Sequence, residues 1–206
     1  MTTERWLRLM KAWGFEANPQ TFDALVDGYS GKGRHYHTAK HVSACLEHLD
    51  AYLDQVENPR EVKIAPWFHD AIYKPLSSKN EKESADWAAS FLSENGAKGT
   101  EVSRVHRLIM VTEHNAPTQT ADEAVLVDID LSILGAIPAT YDMFERAVRK
   151  EYKLVPSFLY RKKRAEVLRG FLAREKIYTS GCFPPDFERQ ARENLLNAIT
   201  TLEGNA

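Results

Sequence analysis

Four of the chain's seven histidines fall in two short stretches, and the first stretch contains His37 and His41, four residues apart. On a helix, side chains at that spacing lie on one face about a turn apart, where two imidazoles can share one metal ion. The alternative is a pair of exposed histidines at a helix N-terminus. A spacing of this kind matches by chance often enough that both alternatives stay open for this pair alone.

The second stretch places His69 and Asp70 next to each other at the end of the apolar run Ile64–Phe68. A carboxylate in such surroundings needs a partner, because an unpaired buried charge is costly. A divalent cation would satisfy both side chains, provided that it lies between their diverging directions on a helix. A hydrogen-bonded His–Asp pair at a helix end would satisfy them as well.

A third acidic element, Asp128 and Asp130, is also surrounded by apolar residues. Residues two apart point to nearly opposite sides of a helix, so only one of these carboxylates can face an internal site. We expect the other to cap a neighbouring segment or to face water.

Together the three elements provide nitrogen and oxygen ligands of the kind that Mn, Fe, Co, Ni, Zn and Mg accept. Such a site leaves positions for water and substrate, and a divalent metal makes hydroxide available near neutral pH. We expect one or two ions per site, because the two carboxylate oxygens of Asp70 allow it to bridge a pair.

At these residues the sequence resembles the HD superfamily of metal-dependent phosphohydrolases, and most closely the small bacterial proteins described as predicted members of it. The resemblance covers roughly residues 34 to 135, with a weaker match at 191–195. It implies an all-α fold and the metal ligands His41, His69, Asp70 and Asp130. The motif Tyr36-His37-x-x-x-His41 also resembles the cyclic nucleotide phosphodiesterases, and this likeness implies that His37 is the general acid.

The sequence departs from these relatives at Tyr73. Deoxynucleotidase relatives carry a glutamate there, and the phosphodiesterases have a histidine in that region. Glu81 is a candidate replacement for the missing acid; its alternative role is to pair with Ser78 in a helix capping box. His114 is a candidate for lining the site or binding a second metal, or else a solvated helix end.

Arg34 follows a glycine-rich loop and carries a planar guanidinium, which suits the binding of a phosphate. Its alternative is an ordinary surface arginine. The basic run 161–164 predicts a solvated helix face, from which Arg164 is the residue placed to turn inward toward an anionic substrate.

Apolar residues recur at three- and four-residue spacing nearly throughout the chain, which predicts a single helical domain over residues 1–206 with nine or ten helices. The metal-site core spans about 34–135, and helices in 139–203 pack on it. The sequence signals predict helices around Trp6–Trp13, Phe22–Tyr29, Val42–Leu53, Pro59–Lys74, Ser78–Asn95, Thr100–Ile109, Ala121–Leu134, Ala139–Leu154, Ser157–Lys176 and Pro184–Leu202.

A formal charge of −2 argues against a nucleic acid or an anionic membrane held by bulk charge. The chain has no apolar run of about 18 residues and no signal-peptide pattern, and its two cysteines form no CxxC motif. We therefore expect a cytoplasmic hydrolase of a small phosphoester, a nucleotide or a related compound, with homodimerisation left open. The alternative is a non-catalytic module of the same fold that binds a metal and a nucleotide.

Overall fold

A computed structural model describes residues 1–204 of the chain, so residues 205 and 206 of the predicted domain lie outside it. The described residues form ten α-helices and three short 3-10 segments, and they contain no β-strand. This confirms the all-α prediction. The helices are α1 (Thr3–Trp13), α2 (Pro19–Tyr29), α3 (Ala39–Ala51), α4 (Pro59–Phe68), α5 (Asn80–Glu94), α6 (Gly99–Met110), α7 (Ala121–Asp130), α8 (Pro138–Glu151), α9 (Ser157–Leu172) and α10 (Pro185–Gly204).

Two clusters of buried apolar side chains hold the helices together. The larger cluster joins α1–α7 around residues such as Trp6, Trp67 and Ile109. The smaller one joins the end of α7 to α8, α9 and α10 through residues such as Tyr141 and Leu195. Because α7 contributes to both clusters, Asp130 at its C-terminal end lies where the two groups of helices meet.

The helix around His69 ends earlier than the predicted boundary at Lys74. Helix α4 stops at Phe68, and His69 is its C-terminal cap. Side chains from elsewhere capture the following backbone: Arg34 donates to the carbonyls of Asp70 and Ala71, and the Ser84 hydroxyl accepts from Ile72 N–H. These tertiary hydrogen bonds replace the ones that another helical turn would make, so Asp70 projects from a turn.

The predicted shared helix face of His37 and His41 is wrong. Helix α3 begins at Ala39 with Thr38 as its N-cap, and His37 therefore lies in the loop before it. The Glu151 carboxylate accepts hydrogen bonds from the backbone N–H groups of three consecutive loop residues, including His37. This remote acid holds the loop in a non-helical course that local sequence does not reveal.

Two predicted helix N-termini are also wrong. Helix α5 begins at Asn80 after Lys79, without a side-chain cap, so the capping box of Ser78 and Glu81 does not form. The Asn80 side chain instead bonds both the N–H and the carbonyl of Lys74, which ties the preceding loop to the helix start. Helix α6 begins at Gly99 rather than after Thr100.

The predicted helix 121–134 is regular only to Asp130, and a 3-10 segment, Leu131–Gly135, follows. The Tyr178 hydroxyl donates to the Leu131 carbonyl, and the Asn194 amide donates to the carbonyls of Leu134 and Ala136. These side chains thus supply hydrogen bonds to the carbonyl groups of the turn that helical N–H groups would otherwise make. Gly135 belongs to the segment and is not its C-cap; a Cβ there would lie 2.5 Å from the ring of Phe187.

Among the described residues, no individual helix combines the length and the apolar composition needed to cross a membrane. The bent pair formed by segments 121–135 and 138–151, with an angle of 103° between them, meets those two criteria together. Cys45 and Cys182 are both free and buried.

Candidate metal centre and adjoining cavity

Three helix ends bring the predicted ligands together. His41 lies in the first turn of α3, His69 caps α4, Asp70 follows it in the turn, and Asp130 is the last residue of α7. The two imidazoles are buried, and the side chains of the two aspartates retain only 14% and 15% exposure. The fold therefore assembles all four in one secluded place.

The distances between the donor atoms fit a shared cation. His41 Nε2 lies 3.1 Å from His69 Nε2 and 3.0 Å from Asp130 Oδ1. Asp70 Oδ2 lies 3.1 Å from His69 Nε2 and 3.6 Å from His41 Nε2. Ligands about 2.1 Å from one ion are separated by roughly 3.0 Å at right angles and about 3.4 Å at tetrahedral angles. The residues present therefore fit a divalent metal ion.

The orientation of His69 is also that of a ligand. Its Nδ1 lies 3.0 Å from the carbonyl oxygen of Pro66, which only accepts hydrogen bonds, so Nδ1 carries the proton. In the neutral ring this leaves the Nε2 lone pair directed at the cluster. Metal-binding histidines commonly donate their second N–H to a backbone carbonyl in this way.

Cys45 is a member of this cluster that the sequence reasoning missed. Ligand atoms of His41, Cys45, His69 and Asp130 all lie within 4.8 Å of one another. Burial raises the pKa of the Cys45 thiol well above its ordinary value, and its Sγ lies 3.8 Å from each of the two ring nitrogens of His41. The sequence feature that could have identified Cys45 is its position one helical turn after His41. Asp70, with its carboxylate, is chemically the better fourth ligand.

The charges of the cluster are tightly coupled. Burial raises the pKa of Asp70, but the neighbouring histidines outweigh it and hold the pKa below its ordinary value. The pKa of Asp130 is likewise held well below its usual range, against burial, by hydrogen bonds with His114, His41 and His69. Burial lowers the pKa of His69, but the two aspartates raise it well above normal overall. Protons thus compete with a cation for this site, so metal affinity must decrease as the pH is lowered.

His114 joins the cluster through Asp130. Its Nε2 lies 2.9 Å from Asp130 Oδ2, the oxygen that does not face His41. The residue has a φ of 58°, a left-handed conformation that is uncommon outside glycine, and Arg174 donates to its carbonyl. Of the two predicted alternatives, the structure brings His114 into the site, where it orients the carboxylate of Asp130.

Glu151 is the most important residue that the sequence reasoning missed. Its side chain is fully buried and takes part in five hydrogen bonds: with three backbone N–H groups, with His37 Nδ1 at 2.7 Å and with the Tyr73 hydroxyl at 2.8 Å. Burial raises its pKa, but the bond with His37 and the backbone donors lower it to about 2 overall. No motif marks Glu151, because its partners are about 80 or more residues away along the chain.

His37 is held by this carboxylate. Burial lowers the pKa of His37, but Asp70 and Glu151 together raise it above the ordinary value. The Tyr73 ring stacks on the imidazole, with 4.3 Å between the ring centroids. Because Glu151 engages Nδ1, the remaining nitrogen, Nε2, is the one available for proton exchange with a bound molecule.

Arg34 occupies a different place from the predicted phosphate contact. Its guanidinium donates to the carbonyl oxygens of His37, Asp70 and Ala71 at 2.7–2.9 Å. These bonds connect the His37 loop to the turn that bears Asp70. In this geometry Arg34 orders the two segments around the candidate metal centre.

A cavity of about 660 Å³ opens beside the candidate metal centre. His37, His41, Asp70, Asp130 and His114 line its polar end. Glu81 lines it too, as a half-buried side chain whose pKa is raised mainly by burial. Arg164 also turns inward to its wall, as the sequence led us to expect. The volume is in the range of cavities that hold small organic ligands.

Asp128 lies outside the cluster. Fully buried, it accepts hydrogen bonds from the backbone N–H groups of Thr179 and Ser180. The structure thus brings Asp130, and not Asp128, to the site, and Asp128 holds the loop before α10.

No family model, no curated protein and no solved structure matches this chain. What the structure defines is a class: an all-α protein with a buried cluster of histidine and acidic residues that can bind a metal ion.

Proposed function

We propose that this protein is a metal-dependent phosphohydrolase of the HD type that hydrolyses a small phosphoester. The observation that carries the proposal is the meeting of His41, His69, Asp70 and Asp130 donor atoms at one end of a cavity, with His37 on the same wall. The order of these residues along the chain and the all-α fold are what the resemblance to that superfamily implies. We infer one or two divalent ions, from among Mn, Mg, Fe, Co, Ni and Zn.

A divalent cation in this site supplies a Lewis acid for a phosphoryl oxygen and makes water nucleophilic near neutral pH. The protein's own residues supply the remaining functions. Asp70 has a second carboxylate oxygen with which it accepts a hydrogen bond from the attacking water. His37, kept protonated by Glu151, donates a proton from Nε2 to the departing alkoxide, a role that typically contributes about 10²- to 10⁴-fold.

The test combines metal analysis with turnover in Asp70→Ala. We expect the purified protein to contain a divalent metal and to hydrolyse members of a phosphoester panel with at least one of Mn²⁺, Mg²⁺, Co²⁺ and Zn²⁺. Asp70→Ala should lose metal and turnover together. Asp86→Ala, which breaks an exposed Asp–His pair with His106, is the matched control and should keep both. Turnover that survives in metal-stripped protein would refute the proposal.

The second candidate is a non-catalytic module that binds a metal and a nucleotide. Two observations favour it: Tyr73 stands where hydrolytic relatives carry another polar group, and the Arg34 guanidinium is engaged by backbone carbonyls. Tight nucleotide binding without hydrolysis under every metal would support this module and exclude the hydrolase.

A further inference from the structure

The part of the cavity away from the polar end has a different chemistry. We name it the apolar arm and define it by Phe144, Val148, Val155, Leu159, Tyr160 and Val167. It begins close to the metal centre, because the Tyr36 ring packs against both His41 and Phe144, with centroids 4.8 and 4.5 Å away. It reaches solvent along α9, where Leu159 and Val167 are 39% and 49% exposed.

The cations on the cavity wall are already paired. In the described part of the chain, Lys163 and Arg164 are the two lysine or arginine residues that line the cavity. The Arg164 guanidinium makes two hydrogen bonds with the Glu145 carboxylate, at 2.6 and 3.0 Å. Lys163 is largely exposed and pairs with Glu166 at 2.8 Å. The Arg164 charge is therefore engaged by Glu145, and any phosphate that reached Lys163 would meet the Glu166 carboxylate beside it.

The acidic side chains on the same wall also disfavour a ligand with several phosphate groups. Four carboxylates line the cavity: Asp70, Glu81, Glu113 and Asp130. Glu145 and Glu166 balance the two basic side chains, so one divalent cation and the protonated His37 of the proposed mechanism bring three positive charges against four negative ones, and the formal charge of the wall is about −1. Such a wall accommodates one phosphoryl group at the metal, but a polyphosphate would add charge that nothing on the wall neutralises.

We propose, on the basis of the phosphohydrolase function above, that the apolar arm binds the hydrocarbon part of a phosphomonoester. The substrate class is then an ester of one phosphate with an apolar, alkyl- or aryl-rich alcohol. A nucleobase fits the arm less well, because reading a base requires several hydrogen-bonding groups and the side chains of the arm, apart from the Tyr160 hydroxyl, have none.

Binding of non-hydrolysable phosphonates tests this proposal without relying on turnover. Calorimetry with Mn²⁺ would compare ethyl-, butyl-, hexyl- and octylphosphonate with adenosine mono- and triphosphate. We expect affinity to rise about fourfold for each methylene that enters the arm, which corresponds to ~0.8 kcal/mol. Octylphosphonate should bind more tightly than either nucleotide, and the triphosphate more weakly than the monophosphate.

A charged side chain in the arm provides the matched variant. Val167→Asp should weaken octylphosphonate at least tenfold and leave ethylphosphonate unchanged. Leu196→Asp, at a similarly exposed apolar position on α10, should change neither. Affinity that is independent of chain length, or a nucleotide that binds more tightly than octylphosphonate, would overturn the inference. If chain-length dependence appears but octyl phosphate and the rest of the ester panel are not hydrolysed, the phosphohydrolase proposal fails and the binding role of the arm stands.

Discussion

Replacing Glu151 by glutamine removes one negative charge from the centre of the His37 loop and changes little in volume. The amide oxygen can still accept from the backbone N–H groups, but the amide nitrogen must donate where the carboxylate accepted. His37 Nδ1 then becomes an acceptor, and the imidazole is neutral with its proton on Nε2. A neutral imidazole is a far weaker acid than an imidazolium, so we expect kcat to fall about 100-fold or more at neutral pH.

The substitution should also shift the pH dependence of activity, and the direction of the shift follows from the pKa of His37. In the wild type, activity should decline as pH rises through the pKa of His37, because the general acid then loses its proton. Glu151 is one of the groups that raise this pKa, so in Glu151→Gln the decline should begin at lower pH. Metal content, measured by elemental analysis, should not change, because Glu151 contacts none of the four ligands' side chains. A pH profile that is merely scaled down would refute the assigned role.

The same substitution has a stability signature. The pKa of Glu151 in the folded protein is about 2 instead of 4.5. The ionised carboxylate therefore contributes fully to the free energy of unfolding above pH 4.5, and this contribution is lost as the pH falls toward 2. The shift corresponds to on the order of 3 kcal/mol, and we expect Glu151→Gln to lose about 2 kcal/mol of it, because the amide oxygen still accepts from the backbone N–H groups. Urea unfolding should show this deficit for Glu151→Gln at pH 7 and a much smaller one at about pH 2. An equal deficit at both pH values would contradict the linkage.

Three further outcomes follow from single contacts. Asp130→Asn should lose metal by elemental analysis, with an affinity reduced more than tenfold, whereas Asp128→Asn should keep the metal; metal retained in Asp130→Asn would show that Asp130 is no ligand. Arg34→Met should lower the free energy of unfolding by about 3 kcal/mol in urea titrations, because three carbonyls lose a charged donor, and a loss under ~0.5 kcal/mol would contradict this. Gly135→Ala should cost about 1–3 kcal/mol by calorimetry, because its Cβ would overlap the aromatic ring on α10, while Gly99→Ala, with open space around it, should not destabilise.

Local sequence was enough to predict the helical class and most of the helices. Apolar spacing of three and four residues marks one face of each helix, and Pro59 marks the start of α4 because a proline is favoured at the first position of a helix. The errors lie at ends where distant side chains satisfy the backbone. Arg34 and Ser84 end the helix before Asp70, and Asn194 with Tyr178 turns the end of α7 into a 3-10 segment.

For the candidate metal centre, too, some features follow from the sequence and others only from the tertiary structure. The sequence by itself identified three short segments with candidate metal-binding side chains, because ligand type and an apolar setting are local properties; the choice of His41 and Asp130 within those segments is what the family resemblance implies. Only the tertiary structure decided that Glu151 holds His37 and that the cavity continues into an apolar arm. Those features depend on α8 and α9 packing beside residues more than 70 positions earlier in the chain, and no local pattern records contacts across such separations.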